Sequence, residues 1–164
     1  MIKIAIIGKM CAGKSTISNK IINYYKKRNI IIKKRSFSEP IYHIAKTIFG
    51  MKKKNRKLLQ QIGTKIREIN KNVFVDYIIN DISENTIIDD CRFINELNAL
   101  YKAGFTIIKI NIPKDIQKER IIKTYPETWK THIENLNHQS ETTIENMDSR
   151  KINNIINYDY EIIV

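Results

Sequence analysis

The stretch Ile2-Lys3-Ile4-Ala5-Ile6-Ile7-Gly8-Lys9-Met10-Cys11-Ala12-Gly13-Lys14-Ser15-Thr16 decides how the rest of the chain is read. Ile2 to Ile7 is short, apolar and largely β-branched, the pattern of a buried strand. Residues 8–16 then have the spacing G-x-x-x-x-G-K-[ST] of a phosphate-binding loop. Beyond it, Ile17, Ile21, Ile22 and Tyr25 recur at helical spacing up to Arg28. Strand, glycine loop and helix thus come in the order that presents backbone N–H groups and the positive end of a helix to an anion. In such a loop Lys14 reaches the β- and γ-phosphates of ATP, and the Ser15 hydroxyl is a ligand for Mg²⁺. Lys9, Met10, Cys11, Ala12 and Thr16 complete the loop between and beside its glycines.

At 164 residues the chain has the length of one domain with a substantial core. Lys and Arg number 29 against 17 Asp and Glu, a formal charge of +12. Such a balance favours anionic partners. The basic residues fall in short runs, however: Lys26-Lys27-Arg28, Lys33-Lys34-Arg35 and Lys52-Lys53-Lys54. No basic stripe interleaved with aromatics appears, which argues against a nucleic-acid surface. The abundance of Ile, Lys and Asn is what an AT-rich genome produces. The two cysteines, Cys11 and Cys91, have no metal-site spacing and form no disulfide framework, so a reduced, cytoplasmic protein is expected. The opening apolar run ends at Gly8-Lys9, which excludes a signal peptide, and no run is long enough for a membrane span.

After the first helix, Ile30-Ile31-Ile32 predicts a second strand continuing through Lys33-Lys34-Arg35 to Ser36-Phe37. Ser38 is an N-cap candidate for a helix opened by Pro40 and stopped at Gly50. Leu58, Leu59, Ile62, Ile66 and Ile69 predict a third helix. Gly63 lies inside it at a propensity cost of about 1 kcal/mol, a place for close approach. Phe74, Tyr77, Ile78 and Ile82 predict another helix, and Thr86-Ile87-Ile88-Asp89-Asp90 a strand ending in two carboxylates. Phe93 to Ala103 reads as a helix closed by Gly104, and Phe105 to Ile112 as a strand ended by Pro113. Pro113 to Met147 is polar and reads as helix, mobile segment, helix; Tyr158 to Val164 predicts a last strand. Strands alternating with helices predict an α/β fold with a five-stranded parallel sheet flanked by helices. Parallel strands place their carboxyl ends on one edge, where ligands bind. The phosphate loop, Ser36-Phe37, Asp89-Asp90 and Pro113 converge there.

An apolar strand ending in Asp beside a phosphate loop is the arrangement that holds a Mg²⁺-bound water or the Ser15 hydroxyl. Asp90 is the first choice for this role and Asp89 the competitor. Arg92, two residues on, is suited to bidentate contact with a phosphate. His43 reads as surface or structural, His132 has no motif partner, and Trp129 reads as packing.

Several segments resemble the deoxynucleoside monophosphate kinases of phages and large DNA viruses, a branch of the adenylate-kinase-like P-loop NTPase fold. Phe37-Ser38-Glu39-Pro40-Ile41 followed by Phe49-Gly50 is similar to that family's F-A-D-P-L…F-G. Leu59-Gln60-Gln61-Ile62-Gly63-Thr64 with Arg67 resembles L-L-Q-x-x-G-T…R. Asp90-Cys91-Arg92-Phe93-Ile94-Asn95-Glu96 resembles D-V-R-F-P-N-E, Lys102-Ala103-Gly104 the K-A-G that follows, and His138-Gln139-Ser140-Glu141 the motif H-P-S-E. The order is kept over residues 1–145. The resemblance implies phosphoryl transfer from ATP to a nucleoside monophosphate, in one kinase domain with acceptor-binding helices over 37–82 and a lid over 114–142. It implies acceptor contacts from Phe37, Gln61, Thr64, Arg67, Arg92, His138 and Glu141. Lys14, Mg²⁺ and arginines would neutralise the transferring group, with Arg120 closing over the donor from the lid.

This sequence departs from the pattern in Gln139, where the family has Pro, and in Phe74, where Trp is usual. Relatives usually continue past the last strand into a loop and a final helix; without them one sheet face would be uncovered, which favours a homodimer or an open donor site. Alternative readings are a phosphomevalonate kinase of the animal type, a polynucleotide 5′-kinase, and an ATP-switched nucleic-acid-binding protein.

Overall fold

Residues of alternating parity along β1 (Lys3–Gly8) enter two different cores, and this sets the layers of the molecule. Ala5 and Ile7 point to one side of the sheet, Ile4 and Ile6 to the other, as the two-residue period of a strand requires. A strand buried on both faces is continuously apolar rather than alternating. In this computed structural model residues 1–134, 136, 143, 144 and 146–157 are described. β1 is the middle of a five-stranded sheet of order β2-β3-β1-β4-β5, with every adjacent pair parallel. The other strands are β2 (Lys33–Arg35), β3 (Thr86–Ile88), β4 (Thr106–Asn111) and β5 (Asn154–Asn157). The register Ala5↔Ile88 and Ala5↔Ile107 aligns the three central strands.

One face of the sheet packs on α4 (Val73–Asn80) and α5 (Ile94–Lys102). Val75, Ile78, Leu97 and Leu100 meet Ala5, Ile7, Ile88 and Ile107 there. On the other face, Ile17, Ile21, Ile22 and Tyr25 of α1 (Lys14–Lys26) cover Ile4, Ile6, Ile87 and Ile110. Helices therefore cover both faces. A separate small core joins α2 (Glu39–Thr47) to α3 (Arg56–Ile69), where Ile41 and Ala45 pack on Ile62 and Phe74. After β4 come α6 (Lys114–Thr124) and α7 (Trp129–Glu134), and Ser149–Lys151 forms a 3₁₀ turn before β5.

The expected five-stranded parallel α/β architecture is present, with two boundaries corrected. The second strand is shorter than the expected 30–37 and keeps only its basic middle, Lys33–Arg35, because only these residues find partners on β3. Ile32 still reaches the core, whereas Ile31 is 80% exposed. The last strand begins at Asn154, where Ile155 and Ile156 are too short an apolar run to signal it; the predicted strand over 158–164 lies outside the described residues. Among the described residues no helix is long and apolar enough to cross a membrane.

Candidate functional site

Each parallel strand delivers its carboxyl end to the same edge of the sheet, and the central strand delivers the glycine loop. Gly8 has φ +157°, and a Cβ there would lie 2.8 Å from the Ile110 carbonyl oxygen, so the loop leaves β1 where only glycine fits against β4. Gly13, with φ +93°, starts α1, whose first turn carries Lys14, Ser15 and Thr16. The loop closes on itself through Ala12 N–H to Lys9 O and Ile17 N–H to Gly13 O. The Lys14 ammonium folds back along it and donates to the Gly8 and Lys9 carbonyls, both at 2.7 Å. Ser15 and Thr16 are exposed. Cys11 is a half-buried thiol at φ 60°, inside the bend.

Helix α6 seats on this loop. Its buried Gln117 donates from Nε2 to the Met10 carbonyl at 2.9 Å, and Arg120 donates to the Cys11 carbonyl at 3.2 Å. Ile116 and Ile121 on the same helix are buried, which holds the polar pair in place. Sequence reasoning assigned Arg120 to a closing lid. In the structure its helix rests against the loop, which puts Arg120 on the donor side, because α6 follows β4 directly and β4 is the strand beside β1. Gln117 was missed; the available signal was a lone amide on the apolar side of that helix.

Beyond β3, the two carboxylates point to different partners. Asp89 is buried and its Oδ2 accepts from Lys34 Nζ at 2.6 Å. Asp90 accepts from the Ser36 hydroxyl, from Phe37 N–H at 3.0 Å and from Ser38 N–H at 3.1 Å. Asp90 thus pins the chain leaving β2 against the end of β3. This turn continues into α2, where Glu39 takes the Ser36 N–H at 2.6 Å and pairs with the buried Arg35, itself bridged to Asp81. A cleft of about 450 Å³ opens beside it, lined by Ser36, Ser38, Glu39, Tyr42, His43 and Lys46.

The third part of the edge is a caged arginine. The Arg67 guanidinium, on α3, lies 4.8 Å from the ring centres of both Phe74 and Phe93. It donates to the Gly63 carbonyl one turn back, at 3.2 Å, and faces Glu96 at 3.7 Å. A Cβ at Gly63 would sit 2.9 Å from that guanidinium and 3.1 Å from Ile41. The helix glycine therefore makes room for a side chain of its own helix and for α2. Burial pulls Arg67 below its ordinary pKa, while the charges of Glu96 and Asp90 oppose this. Glu96 itself is 2% exposed and takes the N–H groups of Arg92 at 2.6 Å and Phe93 at 3.0 Å, capping the start of α5. Burial pushes its carboxyl up to about 7, with Asp90 adding to the rise and the two N–H donors and Arg67 working against it. The Cys91 thiol, fully buried between these groups, is pushed far above its usual range by desolvation. It also feels the charges of Glu96, Asp90 and Lys14, so the loop lysine and the carboxylate edge share one electrostatic environment.

The predicted residues thus divide. Gly8 to Thr16, Asp89, Asp90, Arg67, Arg92 and Arg120 gather at the strand ends. Gln61 and Thr64 are exposed on α3. Phe37 is 1% exposed and belongs to the main core, so the expectation of a substrate contact from its ring is corrected: an aromatic beside the Asp90 turn is consumed by packing on Val75 and Ile88. His138 and Glu141 lie outside the described residues. His132 does have a partner: its Nδ1 is 2.7 Å from Arg56 and its ring stacks on Tyr125.

No protein-family model matches the chain. No curated protein matches it either. Among solved structures, one described as "Crystal structure of APE1195" is similar in fold, with a TM-score of 0.52 and 12% sequence identity over 98% of this chain and 86% of that one. At this identity the likeness concerns the fold alone.

Proposed function

We propose that the chain is a P-loop kinase that transfers the γ-phosphoryl group of ATP to a (deoxy)nucleoside monophosphate, releasing ADP and a diphosphate. One observation carries the reading. A lysine-bearing glycine loop ends the central strand, two carboxylates follow the neighbouring strand, and a desolvated arginine from α3 sits within electrostatic reach of one of them, Asp90. That is a donor-phosphate side and an anion-binding side on one edge. Phosphoryl transfer asks the protein chiefly for positioning and charge neutralisation. An acceptor phosphate is already anionic and needs no general base. The described residues agree with this: they supply cations and N–H donors rather than a nucleophile with a base.

Lys14 leaves its two carbonyls for the transferring group when phosphates occupy the loop, and the loop N–H groups hold the β-phosphate. Mg²⁺ would be held by the exposed Ser15 hydroxyl with Asp90 as the first-choice carboxylate, since Asp89 is engaged by Lys34. Among the described residues no group of three His, Cys, Asp or Glu could hold a metal alone, which suits an ion held largely by phosphate oxygens and water. When bound, Mg²⁺ neutralises the developing charge between donor and acceptor. Asp90 already accepts three bonds from the 36–38 turn, so it orients that turn and contributes charge at the same time. Arg67, with Arg92, receives the acceptor's phosphate. Gln117 and Arg120 hold the loop carbonyls turned away from the phosphates, leaving N–H groups for the anion.

The test is a coupled ADP-release assay on a panel of ribo- and deoxynucleoside monophosphates. Turnover of at least one is expected. Turnover of none, with activity on phosphomevalonate, would replace this reading.

A further inference from the structure

Glu96 presents an energetic contradiction. A buried carboxylate is costly unless its charge is used. Capping α5 does not require a charge, because the carbonyl oxygen of a glutamine accepts the same two N–H groups. Yet the side chain also turns its other oxygen, Oε1, toward Arg67. Arg67 is meanwhile sandwiched by two rings and tied at one edge to Gly63. Rings restrict its plane and Gly63 restricts one edge, but neither sets its rotation toward or away from α5. Glu96 supplies that constraint, and it does so from the rigid first turn of a helix. About a quarter of the Arg67 side chain stays exposed, toward a cleft of about 270 Å³ that it shares with Lys71, Phe93, Ile94 and Asn95.

We propose that Glu96 is the positioning residue for Arg67, fixing through its charge where the guanidinium presents itself to an incoming phosphate. This rests on the reading of Arg67 as the acceptor-phosphate arginine. The arrangement follows the general rule that a group aimed at a ligand is held by a second layer of partners on rigid elements. Phe93 ties the two jobs together: its N–H is capped by Glu96 and its ring covers Arg67. The same carboxylate therefore orders one wall of the cage and the cation inside it. Glu96 touches no substrate in this scheme; it acts only through Arg67.

The test combines kinetics with a substrate-free measurement. Glu96→Gln keeps the cap and removes the charge, and the comparison is made at pH 8, above the value of about 7 to which burial raises the carboxyl. The expected result is a rise of about tenfold in the KM for the monophosphate, the scale of one relaxed charge-assisted contact, with the KM for ATP unchanged. In an Arg67→Lys background the same substitution is expected to add less than about twofold, because coupled residues are not additive. An equal effect of Glu96→Gln with and without Arg67→Lys overturns the inference, and so does an acceptor KM that does not move. The second arm follows the Arg67 Nε–H signal by NMR in the protein without substrate, assigned by its loss in Arg67→Lys. Glu96→Gln is expected to shift and broaden it. An unmoved signal overturns the inference even if monophosphates are turned over. If the unmutated chain turns over no monophosphate, the kinase reading fails by itself, and the NMR arm alone upholds or rejects the hold of Glu96 on Arg67.

Discussion

On the proposed reading the glycine loop and the arginine cage receive the two phosphates, and they are held in opposite ways. The loop is held through its own backbone carbonyls. Its carbonyls take Lys14, Gln117 and Arg120, and its glycines supply the torsions. The cage is held by buried charge and aromatic rings brought from three places, with Gly63 and Arg67 on α3, Phe74 on α4, and Phe93 with Glu96 at the start of α5. A local motif can encode the first. Only the assembled fold can make the second. It follows that the loop should be robust in structure and fragile in chemistry, whereas in the cage stability and binding should trade against each other.

The largest effect expected tests the loop. If the chain is the proposed kinase, Lys14→Ala removes the ammonium that neutralises the transferring group, and kcat for ADP release should fall by about 10²–10³-fold, the scale for loss of one preorganised donor at a developing charge. Thermal stability should change much less than kcat, because the Lys14 ammonium bonds only to loop carbonyls and packs in no core. A large drop in Tm would break the contrast, by showing that the lysine also holds the fold.

The cage should behave in reverse. Glu96 has an ordinary carboxyl pKa near 4.5 when unfolded and about 7 in the folded chain. Its folded value is raised, so the folded state binds the proton more tightly. The stabilisation it gives is complete below the unfolded value and is lost as pH rises from there through about 7. Over that window the loss is of the order of 3 kcal/mol, from a shift of about 2.5 units at 1.36 kcal/mol each. Glu96→Gln should therefore gain on the unmutated protein as pH rises from 5 to 8, in urea unfolding, while acceptor binding weakens. A constant difference across that range would mean that the carboxylate is not desolvated as the structure has it.

This contrast also explains which parts were legible in the sequence. The loop was readable because its spacing, its preceding apolar strand and its following helix are all local. The strand order was readable only in class: alternation of strands and helices implies a parallel sheet, but Lys33–Arg35 as the pairing residues depended on what β3 offered. Arg67 was found by resemblance, yet the reason for Gly63, four residues earlier, needed the guanidinium in place above it. Phe37 misled because an aromatic next to a polar turn reads equally as a stacking surface or as core. Gln117 and the Arg56–His132 pair were invisible because their partners lie 107 and 76 residues away.

A smaller effect sharpens the account of how the loop is held. Gln117→Leu keeps the volume on the buried side of α6 and leaves the Met10 carbonyl without its amide donor. The loss should be about 1 kcal/mol in stability, the cost of one partly buried acceptor left without its donor. If the loop depends on α6 as argued, the KM for ATP should rise severalfold while the KM for the monophosphate stays put. A rise in both would mean that α6 also shapes the acceptor side, and the division between the two regions would be drawn in the wrong place.

The smallest effect concerns a contact between the helices that carry the two regions. Arg56 opens α3, which carries the arginine cage, and His132 lies on α7, which follows the helix seated on the loop. The ring is buried, stacked on Tyr125, and 2.7 Å from a guanidinium that has only donors to offer. The imidazole must therefore be neutral and accept at Nδ1. Burial lowers its pKa from the ordinary 6.5, and the Arg56 charge lowers it further. For a histidine shifted downward, the unfolded chain takes up the proton first, so the stabilisation is intact above 6.5 and is lost as pH falls below it. The loss should approach about 1 kcal/mol, the net worth of one hydrogen bond. His132→Phe should match the unmutated protein at pH 5.5 and fall below it at pH 7.5. A difference independent of pH would reduce the contact to packing on Tyr125, and Arg56 would then add nothing to the link between α3 and α7.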